Sequence, residues 1–259
     1  MNGVFHIGAT GMNAQDRALQ TVANNITNMN TPGFKRAETR FAELIGPVQP
    51  SADPATGVAA AIGVAPGAYG VSAGSAERIF MQGDRRATGN PLDIAIAGDG
   101  FIELTGPDGQ TVLWRGGTLS VTPDGFLAGA NGFPLKAGIS VPEGATALTI
   151  DAQGEVRAVS AGETAPSSIG RIELVLVRNM AGLTDVEGGA YRAAAETDIV
   201  TVEAGDQGGS IVQGSIELSN VQLTDEMVSL MMMQRAYAAS AQVVQAGDQL
   251  MAIANGLKR

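Results

Sequence analysis

The chain contains no cysteine, one histidine and three lysines. The missing cysteines exclude disulfides, thiolate metal sites and cysteine nucleophiles together. The lone histidine, His6, excludes a multi-histidine metal centre within one chain, and it sits on an apolar helical stripe where packing is the expected role. With Lys35, Lys136 and Lys258 the only lysines and a formal charge of −10, no basic stripe exists to hold nucleic acid or anionic lipid. Aromatic residues are only 4 %. No run approaches the ~18 apolar residues of a transmembrane helix. The N-terminus has neither the positive start nor the continuous apolar stretch of a cleaved signal peptide, because Gly8, Thr10 and Gly11 interrupt it.

The catalytic signatures that can be read from spacing are missing as well. There is no GxSxG elbow, phosphate-binding loop or HExxH. Asp84, Asp93, Asp99, Glu103 and Asp108 each abut glycine or sit in a strand alternation, which suits turn capping or solvation. The glycine-flanked Asp99 would repel a phosphate. No catalytic, cofactor-binding or metal-ligating residue is assigned, and no enzyme is expected. A carboxylate-pair enzyme acting on envelope glycan is the alternative, since such pairs assemble only in space.

What the chain does contain is 44 % hydrophobic residues and 35 glycines over 259 positions. These are distributed in two regimes. At the N-terminus Phe5, Gly8, Met12, Gln15, Leu19, Val22, Ile26 and Met29 alternate steps of three and four, a heptad seam with weak positions at Gly8 and Gln15. Asn28-Met29-Asn30-Thr31-Pro32-Gly33 stops that helix. At the C-terminus Thr224 is placed to cap a helix running to about Leu257, with Asp225 and Glu226 in its first turn. Its seam reads Val228, Met232, Arg235, Ala239, Val243, Ala246, Leu250, Ile253 and Leu257. A second stripe of Met227, Leu230, Met231, Tyr237, Val244 and Met251 lies beside it. Such a helix would be about 50 Å long and would need more than one neighbour.

Between the ends the period changes to two. Leu92–Ile96, Phe101–Leu104, Thr111–Arg115, Thr118–Val121, Ala147–Ile150, Glu155–Val159 and Arg171–Val177 read as strands separated by Gly-Asp-Gly, Pro-Asp-Gly and Asn-Gly turns. Strands this closely spaced imply an antiparallel β domain. The division predicted is an N-terminal helix over 1–33, an extended linker or hairpin over 34–76, a β-rich domain over 77–215 and a C-terminal helix over 216–259. The fold class is α+β.

Three stretches resemble the axial rod proteins of the bacterial flagellar basal body. Ala23-Asn24-Asn25-Ile26-Thr27-Asn28-Met29-Asn30-Thr31-Pro32-Gly33-Phe34-Lys35-Arg36 is similar to the family's N-terminal signature. Ser219-Asn220-Val221, Glu226-Met227-Val228 and Gln234-Arg235-Ala236-Tyr237 are similar to its C-terminal one. Gly89-Asn90-Pro91-Leu92-Asp93-Ile94-Ala95-Ile96 followed by Gly98-Asp99-Gly100-Phe101 is similar to its shared β segment. The signature residues are therefore Asn24, Asn25, Asn28, Thr31, Gly33, Phe34, Asn220, Gln234, Arg235 and Tyr237. Length and the Gln82-Gly83-Asp84 approach look most like distal rod members, with proximal rod members second. Where relatives commonly have Arg, then Asp or Asn, then Gly, this chain has Arg115-Gly116-Gly117.

The resemblance implies that the terminal helices pair as a coiled coil in an inner layer around an export channel. Self-assembly would then rest on Phe5, Met12, Leu19, Val22, Ile26, Met29, Val228, Met232, Ala239, Val243, Leu250, Ile253 and Leu257. It also implies a middle and outer β domain, and export by the flagellar type III apparatus without a cleaved signal. The product would be a helical homo-oligomer in the periplasmic part of the basal body. Its partners would be other rod subunits, the hook protein and the surrounding P- and L-ring proteins. No cofactor, nucleic acid or transmembrane segment is implied.

Overall fold

A computed structural model describes residues 2–45, 48–49, 63–64, 69–107, 109–161, 165–186, 188–193, 199–202, 204 and 208–256. Leu257, Asp108 and most of the connector between 46 and 68 lie outside them. The chain divides into two compact units, one of residues 1–27, 37–79 and 222–259, the other of residues 28–36 and 80–221.

The first unit holds both terminal helices. Helix α1 is Asn2–Thr27 and helix α2 is Leu223–Gly256. The helix signal ran to Met29, but the chain leaves helical geometry after Thr27, and Thr31 N–H closes a turn on the Asn28 carbonyl at 3.0 Å. Likewise α2 starts at Leu223, so Thr224 lies one residue inside it rather than at its cap. Between the helices come strands Ala37–Ile45 and Tyr69–Arg78, paired antiparallel. The register slips once, where Gly74 and Ser75 together face Arg40. Small residues such as Gly70 and Ala73 let the second strand lie close under α1. A side chain at Gly70 would come within 2.6 Å of the Thr10 hydroxyl, and Arg17 reaches the Ala73 carbonyl at 3.3 Å. That need for small side chains is why this strand looks like loop by composition.

The second unit is antiparallel β throughout its named strands. Its largest sheet has six strands, in the order Leu183–Val186, Ala190–Ala193, Thr111–Trp114, Phe101–Thr105, Leu174–Val177 and Ile199–Val202. Successive side chains in a strand point to opposite faces, and both faces here are apolar. Ile102, Leu104, Val112, Trp114 and Leu174 enter the larger cluster; Phe101, Leu113, Val175, Val177 and Tyr191 form the smaller one. Each fully buried aliphatic or aromatic side chain contributes about 1.5–3 kcal/mol. A three-stranded meander (Ala145–Ile150, Glu155–Ser160, Ser167–Arg171) and a second three-stranded sheet (Ser210–Gln213, Asp93–Ala97, Gly116–Thr118) complete the larger core.

The run Arg171–Val177, expected as one strand, is two. Arg171 ends the meander by pairing with Glu155, and Leu174 opens a new partnership with Val202 and Ile102. Ile172, buried, donates its N–H to the Gly154 carbonyl at 2.7 Å in the handover. Local β character on both sides of the break cannot reveal a strand that changes sheets.

Candidate functional site

The terminal helices run antiparallel. Val4 and Phe5 lie at Gly247, Gly8 at Val244, Gly11 at Ser240, and Asn25 at Glu226, so partner numbers sum to about 251 along the whole of α1. Of the glycines between the helices Gly8 is the most tightly packed: an added Cβ would sit 2.4 Å from a Val244 methyl. Below it the buried face of α1 continues through Ala14, Ala18, Val22 and Asn25. The bulkier seam residues Phe5, Met12, Leu19 and Ile26 are half-buried on α1, as is Met29 in the turn beyond it.

On α2 the side turned to α1 passes through Glu226, Leu230, Met233, Ser240, Val244 and Gly247. The predicted C-terminal seam runs two residues out of step with it. Two residues are about 200° around a helix, so that seam lies on the far side. Val228, Met232, Arg235, Ala239 and Val243 are exposed, and Leu250 and Ile253 are 62 % and 60 % exposed. Gln234 and Tyr237 are exposed beside them. An apolar face this long is unusual on a monomer.

Asn25 is the polar pivot of the first unit. Its side-chain oxygen accepts the Ala37 N–H at 2.9 Å, and its amide donates to the Ala37 carbonyl at 2.8 Å and to Glu226 at 3.2 Å. One buried side chain thereby ties together the two residues that bracket segment 26–36. The neighbouring signature residue Asn24 is exposed.

Segment 28–36 carries the rest of the N-terminal signature into the second unit. Thr31 donates its hydroxyl to the Asn28 side chain at 3.2 Å, and Phe34 is buried. Gly33 N–H donates to the Glu217 carbonyl at 2.9 Å. Arg36 N–H donates to the Asn220 side-chain oxygen at 2.7 Å, while the Asn220 amide donates to the Met81 carbonyl at 3.0 Å. At the centre is an ionic cluster that sequence reasoning missed. Lys35 is fully buried; its ammonium meets Glu217 Oε1 at 2.5 Å and the Met81 carbonyl at 2.8 Å. Glu217 Oε1 also accepts the Gly83 N–H at 2.9 Å, and its Oε2 faces the Arg115 guanidinium at 3.3 Å. Burial pushes the Lys35 ammonium below its ordinary value, Glu217 opposes that shift, and Arg115 adds to it. No spacing rule connects residues 35, 115 and 217, and a lysine after a Pro-Gly turn reads as solvated.

Arg115 holds the next departure in place. Its guanidinium also donates to the carbonyls of Gly100 and Gly98, at 2.7 and 3.0 Å. The chain then turns at Gly116 with φ +102°, and a Cβ there would stand 2.6 Å from the Ile94 carbonyl oxygen. Glycine is required by both facts. Gly116→Asn is therefore expected to destabilise this chain by about 2 kcal/mol. The midpoint of denaturant unfolding, followed by Trp114 fluorescence, checks it; an unchanged midpoint would show that the strand can shift.

Among the described residues no group of histidine or acidic side chains is arranged to hold a metal ion. No described helix is long and apolar enough to cross a membrane. A cleft of about 230 Å³ lies in the β unit beside the Glu103–Lys136 pair.

Paired end helices with one apolar face left open, joined to a β body, suit a structural protein. Comparison with known families gives the same class. Residues 5–35 match the flagella basal body rod protein family, 95–158 the flagellar hook protein FlgE/F/G D1 domain, and 212–257 the flagellar basal body rod FlgEFG protein C-terminal domain. The chain belongs to the flagellar basal-body rod protein family. It is 34 % identical to the flagellar basal-body rod protein FlgG of Caulobacter vibrioides, covering 96 % of this chain and 97 % of that one. It is 33 % identical to the protein of the same name from Borreliella burgdorferi, over 97 % of each chain. Against the flagellar hook protein FlgE of Brucella abortus it is 36 % identical, but over 57 % of this chain and 34 % of that protein. Its near full-length likeness is thus to FlgG-type rod proteins, and its role is that of a structural subunit of the flagellar basal body.

Proposed function

We propose that the chain polymerises helically as a distal rod subunit, forming a hollow shaft that transmits torque from motor to hook and lines the export channel. The observation that carries this reading is the open apolar face of α2, from Val228 to Ile253, opposite the side that α1 covers. Contacts between copies that do not close on themselves build a filament. Helices α1 and α2, within the terminal segments 1–33 and 216–259, form the inner coiled-coil layer, with Phe5, Met12, Leu19, Ile26 and Met29 completing contacts that the single chain leaves half-made. Residues 34–76 add a middle layer, and residues 77–215 face outward toward the surrounding P- and L-ring proteins. Other rod subunits lie below and the hook protein above. The chain reaches its place in the periplasmic rod through the type III export apparatus, without a cleaved signal.

The test is polymerisation of the purified chain on isolated basal bodies as nuclei. Straight tubes extending from the nuclei, seen by electron microscopy, are expected. Absence of tubes, together with normal motility after deletion of residues 1–30 or 224–259, would overturn the proposal.

A further inference from the structure

Three methionines stand in sequence on α2, and the helix sends them to different sides. At about 100° per residue, Met231 and Met233 point about 200° apart, with Met232 between them. Met233 is half-buried on the side turned to α1, whereas Met231 and Met232 are 50 % and 57 % exposed. Met232 belongs to the open face, one turn beyond Val228, and Met231 borders it. These two positions differ chemically from the aliphatic residues further along that face, Val243, Leu250 and Ile253. A thioether packs as an apolar, adaptable group, yet its sulfur keeps a lone pair that reacts with oxidants. Leucine would supply the same bulk and helix propensity without that reactivity.

We propose that Met231 and Met232 are an oxidation-sensitive site through which peroxide controls whether the subunit joins the assembly, an inference that rests on the function proposed above. The thioether sulfur attacks one oxygen of hydrogen peroxide and the O–O bond breaks. A sulfur–oxygen bond forms, the proton of the transferred hydroxyl passes to the departing oxygen, and water leaves. Sulfur is oxidised by two electrons and the peroxide reduced by two. The product is methionine sulfoxide, in which an apolar contact group has become a polar acceptor. On the free subunit the new oxygen stays hydrated, so α2 keeps its fold. Under a neighbouring copy it loses that water, which opposes the contact. The same cover keeps peroxide from subunits already in place. The site therefore reads the oxidant before incorporation, and reduction of the sulfoxide resets it.

The chemical step is tested on the folded monomer with dilute hydrogen peroxide and tandem mass spectrometry of its peptides. Met231 and Met232 are expected to oxidise at rates like that of the exposed Met81, and about tenfold or more faster than Met233. Equal rates at the three adjacent methionines would overturn the site.

The consequence is tested by elongation on isolated basal bodies. Oxidised monomer is expected to keep its circular dichroism and to lose incorporation by about tenfold or more. A mixture of the two methionine sulfoxide reductases, one for each epimer, should restore it. Met231→Leu with Met232→Leu should incorporate normally with or without peroxide, whereas Met81→Leu should stay as sensitive as wild type. Unimpaired incorporation of the oxidised wild type, or undiminished sensitivity of the double leucine variant, would overturn the proposal and leave the assembly reading intact. Loss of helix on oxidation would also overturn it, since the damage would then lie in the fold. Failure of the unoxidised chain to elongate would overturn the assembly reading, and the role of this site with it.

Discussion

Leu250→Asp is expected to leave the folded subunit intact and to cut its incorporation into a growing rod by about a hundredfold or more. Leu250 is 62 % exposed, so a carboxylate there stays in water while the subunit is alone. In the proposed assembly a neighbouring copy covers that face, and the carboxylate loses its water without gaining a partner. Stranding a charge in that way costs about 3–5 kcal/mol, and each 1.4 kcal/mol is about a factor of ten in an equilibrium. Val22→Asp is the informative contrast. Val22 is buried on α1 within its own subunit, so the same change there should lower the subunit's unfolding midpoint before assembly is reached. Circular dichroism of the monomers and elongation on isolated basal bodies separate the two outcomes. Normal incorporation of Leu250→Asp would remove the open face of α2 from the assembly interface.

Much of this arrangement is legible from residue order, and the exceptions share a physical cause. Periodicity weights bulk. It finds the terminal helices, and it finds the strands around Ile94, Ile102 and Val112, because large apolar residues recur there at helical or strand spacing. It also shows that α2 is apolar on two sides. It misreads Gly8, which looks like a gap in a seam and is packed too closely against Val244 to take a Cβ without a shift. The face of α1 buried within the subunit is built from Gly8, Ala14 and Ala18, residues chosen for closeness rather than for area. The strand Tyr69–Arg78 is obscured for the same reason. Pairing over long separations is the second cause. Lys35 meets Glu217 across 182 positions, and Arg115 meets it across 102. Nothing in the local pattern of any of the three announces the others. The signature asparagines fall between these cases. Resemblance marks Asn25 and Asn220, but only geometry shows that each closes a chain crossing with its side-chain amide.

Gly8→Leu is expected to pry α1 from α2, because two opposed effects at this position differ in size. Replacing glycine inside a helix favours the helix itself by about 0.8–1 kcal/mol. Against that, the new Cβ would lie 2.4 Å from a methyl of Val244, and a leucine must place three more carbons beyond it. Val244 cannot rotate away freely, since a β-branched residue in a helix has one strongly preferred rotamer. Overpacking of this kind costs about 1–3 kcal/mol or more, so the clash wins for leucine. Gly8→Ala brings the same Cβ against Val244 without the three further carbons, so a smaller loss is expected. Hydrogen exchange along α1 should therefore rise most in Gly8→Leu and less in Gly8→Ala. Cutting Val244 back in the double variant Gly8→Leu with Val244→Ala should recover most of the protection, because the deleted methyl groups make room for the added side chain. An equal loss in the double variant would place the strain elsewhere on α1. Since the open face of α2 is presented by a helix that α1 supports along its other side, Gly8→Leu should also lower rod incorporation, and the Val244→Ala partner change should restore it in step with α1 protection.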